Sequence, residues 1–345
     1  MATAASPASD TARQTDRSPT RVAVAGATGY AGQELLRLLA RHPAVTLTAA
    51  MGSAATSAPR PMPALARIWD GLVVPLDVER LATEADVVFL ALPEAASAEI
   101  APVLVARGVR VIDLSGAFRI RRDEDRTRWY PATASLPAGT VYGFSERYAS
   151  QIREARLLSN PGCYPTAALL ALEPLASRGL LDGPIVIDAK SGISGAGKAP
   201  TDRTHFSENH GSVAAYAVFS HRHTAEIEQE LGRPVTFVPH LVPLDRGILE
   251  TVYAALRPGT TGAQVDEALH AAYDKAPFVR LTGGALPEIK HVAHTNFCDI
   301  GWKVDEAGAR IVLVAVIDNL VKGAAGSAVQ NLNLMLGLDE RTGLS

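Results

Sequence analysis

Cys163 has the residue type and the setting for covalent chemistry. It lies in Asn160-Pro161-Gly162-Cys163-Tyr164-Pro165-Thr166, directly ahead of the apolar run Ala167-Ala168-Leu169-Leu170-Ala171-Leu172. Proline fits the first turn of a helix but cannot continue one. The cysteine is therefore expected at or just before a helix N-terminus. Free N–H groups and the positive dipole end favour a thiolate there, below the usual thiol pKa of about 8.5. A buried, inert thiol is the alternative reading of the same segment.

A nucleophile needs an acid–base partner. His221-Arg222-His223-Thr224-Ala225-Glu226 offers one. His223 and Glu226 are three residues apart and would share a helix face. A carboxylate there could orient the imidazole. Two histidines beside an arginine equally suit a solvated loop. His205, His210, His240, His291 and His294 follow no metal-ligand spacing, so no metal is expected. Two further segments could hold anions. Ser191-Gly192-Ile193-Ser194-Gly195-Ala196-Gly197-Lys198 resembles an anion-binding loop with a lysine charge, or a flexible turn. Asp113-Leu114-Ser115-Gly116-Ala117-Phe118-Arg119 ends a strand with a guanidinium that could grip an anion bidentately, or form a surface ion pair.

The elements around these residues alternate. Arg21 to Ala25 reads as a buried strand. It runs into Gly26-Ala27-Thr28-Gly29-Tyr30-Ala31-Gly32, then into the helical pattern Glu34 to Leu39. Val45–Ala50, Asp86–Leu92 and Arg110–Leu114 are further strands, each ending in small or turn-forming residues. This is the pattern of a doubly wound parallel α/β sheet, which binds ligands outside its strand carboxyl ends. Glycines between a strand and a helix let the backbone approach a pyrophosphate. An NAD site usually carries an acid at the end of the second strand. Here Ala49-Ala50-Met51-Gly52-Ser53 has none, while Ser53 and nearby Arg60 suit a 2′-phosphate, which favours NADP. Beyond Cys163 the rhythm changes. Strands at Ile185–Lys190, Val235–Val238, Ile248–Leu256 and Ile311–Ile317, with a helix near Gln264–Lys275, read as an α+β domain. A last helix, about Leu320–Leu336, contains Gly323, Gly326 and Ser327 and is expected to return to the first domain. The divisions are then a disordered tail at 1–20, a dinucleotide-binding domain at 21–162 plus 318–345, and an inserted domain at 163–317.

Composition narrows the class. A chain of 345 residues, 47% hydrophobic with net charge −3, has no electrostatic footprint for nucleic acid or an anionic membrane. Two cysteines argue against a disulfide framework and suit the reducing cytoplasm. No apolar run approaches the roughly 20 residues that span a bilayer.

The motif set resembles the N-acetyl-γ-glutamyl-phosphate reductase family of arginine biosynthesis. The resemblance rests on the segments at 26–32, 113–119, 161–166, 191–198 and 221–226. It also rests on Pro239-His240-Leu241-Val242-Pro243, Arg246-Gly247-Ile248-Leu249 and Asp318 to Gly326. It implies a Rossmann-type NADP-binding domain with an inserted catalytic and dimerisation domain. It implies NADPH-dependent reduction of a small acyl phosphate, with Cys163 as nucleophile, His223 as acid–base group and Glu226 orienting it or contacting substrate. Arg119, Ser194, Gly195 and Lys198 are then expected at the substrate. Gly26, Thr28, Gly29, Tyr30, Ala31, Gly32, Ser53, Leu92, Pro93 and Asn319 are expected at the cofactor, and the protein as a homodimer or homotetramer. Two positions depart from the family pattern. Glu94 stands where many members have histidine, and Ser327 where glutamine is usual. Two rivals remain: the analogous reductase of a carrier-linked aminoadipyl phosphate in lysine biosynthesis, and a non-catalytic NADP-binding sensor.

Overall fold

The computed structural model describes residues 18–52, 58–133, 135–305 and 307–344. Ser53 and most of the expected tail lie outside the described residues.

The first unit alternates strands with helices. It comprises β1 (Thr20–Ala25), α1 (Tyr30–Leu39), β2 (Val45–Met51), β3 (Arg60–Pro61), β4 (Leu72–Val74) and α2 (Val78–Glu84). It continues with β5 (Val87–Leu90), α3 (Glu94–Ala106), β6 (Arg110–Asp113), α4 (Asp123–Trp129), β7 (Thr140–Tyr142), α5 (Ser145–Glu154) and β8 (Leu157–Ser159). The strands form one sheet in the order β3-β4-β2-β1-β5-β6-β8-β7. Every pairing is parallel except β3 with β4. The chain winds outward from β1 first through β2 and then through β5, so the topological switch lies between β1 and β5. Ligands collect at such a point. Gly26 follows β1 there with φ +86°, and a Cβ on it would lie 2.1 Å from the Ala91 carbonyl oxygen just past β5. Only glycine lets the two strand ends come that close.

The second unit begins at the cysteine. It contains α6 (Cys163–Ser177), β9 (Leu181–Gly192), α7 (Phe206–Asn209), β10 (Ala214–Ala215), α8 (His223–Leu231) and β11 (Thr236–Val242). Then come β12 (Ile248–Leu256), α9 (Gly262–Tyr273), β13 (Val279–Gly283), β14 (Cys298–Val304) and β15 (Arg310–Ile317). Its sheet has the order β10-β11-β9-β12-β15-β14-β13 and is mixed. Helix α6 is buried on nearly every side, from Tyr164 through Leu172. A helix apolar all round belongs inside a core, and α6 forms that core with Ile187, Val252 and Leu313 on the sheet face beneath it.

The chain returns to the first unit through a π-helical turn (Val321–Ala325) and α10 (Gly326–Leu336). The continuous helix expected from Leu320 is thus interrupted at its start. Gly323 explains the need: a Cβ there would sit 2.8 Å from Cys163 Cβ. The turn is pinned by buried Lys322, whose Nζ donates to Glu146 at 2.6 Å and Gln330 at 2.8 Å. Beyond it Ala328, Val329 and Leu332 pack into the core of Val22, Val24 and Leu36. Leu332→Ala is expected to lower stability by about 2–5 kcal/mol, the usual cost of truncating a fully buried leucine. Urea unfolding followed by circular dichroism would measure it.

Among the described residues, no helix is long and apolar enough to cross a membrane.

Candidate active site

Cys163 is the first residue of α6, with Gly162 at the N-cap in extended conformation. The thiol is half-buried and lines a cavity of about 330 Å³. That cavity is lined by Gly29, Tyr30, Ala31 and Gly32, by Ser194, Gly195, Lys198 and Asn319, and by Arg119 and His223 beside Cys163. Residues separated widely in the sequence, from both units, meet on one surface. Leu92 and Pro93 line a second cavity, of about 520 Å³, which shares Leu114, Arg119, Gly195 and His223 with the first. Gly26 shapes the turn from below. Thr28 faces a third space of about 450 Å³ with Arg60 and Lys198.

His223 opens α8. Its Nε2 accepts from Arg119 at 3.4 Å, and its buried Nδ1 has no partner. A Cβ on Gly162 would stand only 2.5 Å from Nε2 and 2.9 Å from the Arg119 guanidinium. The imidazole and the guanidinium therefore rest on the backbone immediately before the thiol. Tyr164 holds the ring edge-on, with centroids 5.9 Å apart. Burial, then the charges of His221, Arg119 and Arg222, push the His223 imidazole well below its ordinary pKa. It is a neutral base at pH 7.

Glu226 is fully buried. Its Oε1 accepts from the Gly162 N–H at 2.8 Å and from the Tyr142 hydroxyl at 2.7 Å. Oε2 lies 3.5 Å from Arg119. No hydrogen bond joins Glu226 to His223, although both sit on the face that their spacing implied. The carboxylate fixes the Gly162 backbone and the guanidinium, and through them both reacting side chains. Burial raises its pKa against the pull of Arg119 and the two donors. Arg119 donates from Nε to the Asn160 carbonyl at 2.9 Å and from a terminal nitrogen to the Leu114 carbonyl at 2.8 Å. Burial is the largest single influence and opposes its charge, but Glu226, Tyr130, Tyr142 and Asp113 together outweigh it and raise its pKa, so it stays protonated.

The expected lowering of the thiol pKa is not what the surroundings produce. Burial pushes Cys163 up to about 11, beyond what the Arg119 charge and the Tyr164 N–H recover. The helix terminus acts in the expected direction and is outweighed. The resting site is thus a neutral thiol beside a neutral imidazole. Alkylation of the ligand-free protein by iodoacetamide is accordingly expected to accelerate as pH rises towards about 11. It should label one thiol, because Cys298 is wholly buried and burial raises it too. Mass spectrometry of the labelled peptides across a pH series checks both points.

Asn160, Asn331 and Glu250 are site groups that sequence reasoning did not single out. Asn160 donates to Ser327 Oγ at 3.0 Å and accepts from Asn331 at 3.0 Å. Asn331 in turn accepts from Ser145 at 2.9 Å. This buried amide relay fixes the Pro161-Gly162 turn to α10, and Ser327 serves it without the longer glutamine side chain. Asn319 accepts from the Gly247 N–H at 2.7 Å and donates to Ser194 Oγ at 2.9 Å, so both ends of its amide hold neighbouring loops. Lys198 donates to the Thr28 carbonyl at 3.3 Å, on the glycine-turn side of the cavity. Glu250 is fully buried on β12 with neither oxygen partnered, and burial alone raises its pKa far above the ordinary value. It stays protonated at neutral pH; as an anion it is one of the charges already contributing to the raised Cys163 thiol.

Comparison with known proteins places this arrangement. Residues 21–155 match the semialdehyde dehydrogenase NAD-binding domain, and residues 163–319 match the semialdehyde dehydrogenase dimerisation domain. N-acetyl-gamma-glutamyl-phosphate reductase of Shouchella clausii is 45% identical over 335 residues, covering 94% of this chain and 97% of that protein. The enzyme of the same name from Brevibacillus brevis is 44% identical, again over 94% and 97%. The chain belongs to the N-acetyl-gamma-glutamyl-phosphate reductase family. Solved structures show the wider fold of this reductase family. Aspartate semialdehyde dehydrogenase II from Vibrio cholerae, complexed with ASA, superposes with a TM-score of 0.71 at 20% identity, covering 93% of this chain and 99% of that one. The Candida albicans aspartate semialdehyde dehydrogenase with NADP gives 0.66 at 16% identity, over 92% and 99%. These likenesses concern the fold alone.

Proposed function

We propose that the chain reduces N-acetyl-L-glutamyl 5-phosphate to N-acetyl-L-glutamate 5-semialdehyde and phosphate with NADPH, the reaction of the arginine pathway. The observation that carries this reading is the meeting of Cys163, His223 and Arg119 in one cavity that the glycine turn also lines. The turn fits a dinucleotide. Gly26 and Gly32 let the turn close tightly on its own backbone and on the end of β5, since a Cβ on Gly32 would lie 2.2 Å from the Gly26 oxygen and one on Gly26 2.1 Å from the Ala91 oxygen. The α1 N-terminus adds free N–H donors for a pyrophosphate. Gly26, Thr28, Gly29, Tyr30, Ala31 and Gly32 would hold that part, and Arg60 the 2′-phosphate. Leu92, Pro93 and Asn319 would border the nicotinamide, Asn319 by giving up one of its present bonds.

His223 takes the Cys163 proton as the sulfur attacks the acyl carbon. Arg119 and the Tyr164 N–H favour the charge gathering on sulfur. Phosphate leaves and a thioester remains on Cys163. The dinucleotide, when bound, supplies the hydride that turns the thioester carbonyl into a thiohemiacetal. The protonated His223 gives its proton to the developing oxyanion. It takes that proton back as the carbon–sulfur bond breaks, and returns it to the Cys163 thiolate as the aldehyde departs, which restores the neutral thiol and imidazole. Ser194, Gly195 and Lys198 would line the path of the substrate. The same reading makes the protein a cytoplasmic homodimer or homotetramer, in keeping with the dimerisation-domain match.

The test is the reverse reaction with N-acetylglutamate semialdehyde, phosphate and NADP. Aspartate semialdehyde and NAD run in parallel. NADPH formation that requires phosphate and the acetylated aldehyde is expected. Retained NADP binding without turnover would contradict the reading and turn attention to the carrier-linked substrate or a sensor.

A further inference from the structure

The cavity of about 520 Å³ shares Arg119 and His223 with the cavity of the thiol and is lined by two guanidiniums, Arg119 and Arg222. Arg119 is buried and fully engaged by protein groups. Arg222 is half-exposed, and its ion-pair partner is Glu94. These two come from different units: Glu94 opens α3 beside the parallel sheet, and Arg222 is the N-cap of α8. The Arg222 guanidinium also lies over the Tyr130 ring, 5.3 Å from its centroid. Tyr130 lines the same cavity, and its hydroxyl has no protein hydrogen-bond partner among the described residues.

The reductase reading, on which this inference rests, requires a substrate with two separated anionic ends. Its acyl phosphate must reach Cys163 beside Arg119. Its α-carboxylate then extends away from the thiol into the neighbouring cavity. We infer that Arg222 is the anchor for the substrate α-carboxylate, and that Glu94 occupies this anchor as an internal stand-in which the substrate displaces. A glutamate side chain offers Arg222 the same carboxylate chemistry as the ligand. The resident pair is partly exposed, and such pairs are weak enough to exchange. A guanidinium held over an aromatic face keeps its fork oriented for a bidentate carboxylate. Arg222 directly precedes His223, so a seated carboxylate also fixes the first residue of the helix that carries the base. Glu94 then sets a competitor against the substrate in this chain.

The experiment compares two aldehydes with phosphate and NADP: N-acetylglutamate semialdehyde, and 4-acetamidobutanal, which lacks the carboxylate. The readout is the ratio of their kcat/KM values. Loss of a charged hydrogen-bonded contact removes roughly 10- to 100-fold of binding. Arg222→Met is expected to shrink the ratio by about that factor, and Arg222→Lys by less. Glu94→Gln is expected to enlarge the ratio through a lower KM for the carboxylated aldehyde, and to lose this effect in the Arg222→Met background. Equal losses on both aldehydes in Arg222→Met, or a higher KM for the carboxylated aldehyde in Glu94→Gln, would overturn the inference while leaving the reductase reading intact. Absence of phosphate-dependent turnover in the unsubstituted enzyme would overturn the reading beneath it.

Discussion

Cys163→Ser is expected to lower turnover by roughly 10³- to 10⁵-fold, the scale of losing a catalytic nucleophile, while NADP affinity stays within about twofold, because interactions at well-separated sites are nearly independent. The reasoning follows from the surroundings of the sulfur. They raise even a thiol to about 11, and a serine hydroxyl starts far higher. His223 is a weak base in its buried setting, so it cannot form an alkoxide there. It can relay a proton from a thiol as the bond to carbon forms. The glycine turn does not include Cys163 and loses no group by the exchange. Stopped-flow reduction assays and a fluorescence titration with NADPH would separate the two quantities. The acid limb of the unsubstituted enzyme should lie below the ordinary imidazole pKa of about 6.5, because protonating His223 removes the base.

Gly162→Ala is the second large effect expected, although it touches no reacting atom. Gly162 has φ −66° and ψ 155°, which any residue adopts, so the backbone tolerates alanine without strain. The added methyl would lie 2.5 Å from His223 Nε2 and 2.9 Å from Arg119. Neither neighbour can yield freely, since Arg119 is tied to the Asn160 and Leu114 carbonyls and His223 begins a helix. Displacing the base by about 1 Å costs on the order of 10²-fold in rate. A kcat lower by about that factor, with unchanged NADP affinity and a melting midpoint lowered by the cost of overpacking, is the expected outcome. An unchanged kcat would show that the base and the guanidinium yield to the methyl.

The segments legible in the sequence are those whose meaning is local. The glycine turn at 26–32 reads correctly because one strand, one turn and one helix define it. Gly32 must be glycine because a Cβ there would lie 2.2 Å from the Gly26 oxygen, six residues back. Proline at 165 and the apolar run behind it similarly announced the start of α6. What escaped depends on long-range packing. The three-residue spacing of His223 and Glu226 implied a direct contact. The carboxylate instead meets Gly162 and Tyr142, 64 and 84 residues away. No spacing rule points to Asn160, Asn331 and Ser327 as one relay. The thiol pKa went astray for the same reason. A helix N-terminus is visible in sequence, but the burial that opposes it is supplied by both units. Strand β14 was hidden because Asp299 and Gly301 interrupt its apolar pattern. In the fold Asp299 is partnered by Arg280 at 2.6 Å, which allows it inside.

The central claim is that Cys163 carries the acyl group. Its most direct test is to mix the enzyme with N-acetylglutamyl phosphate in the absence of NADPH, quench in acid, and weigh the intact protein and its peptides. The account predicts one N-acetylglutamyl group per chain, on the peptide containing Cys163, removed when NADPH is added before the quench. A protein that consumes the acyl phosphate with NADPH but never carries the acyl group, or carries it elsewhere, would contradict it.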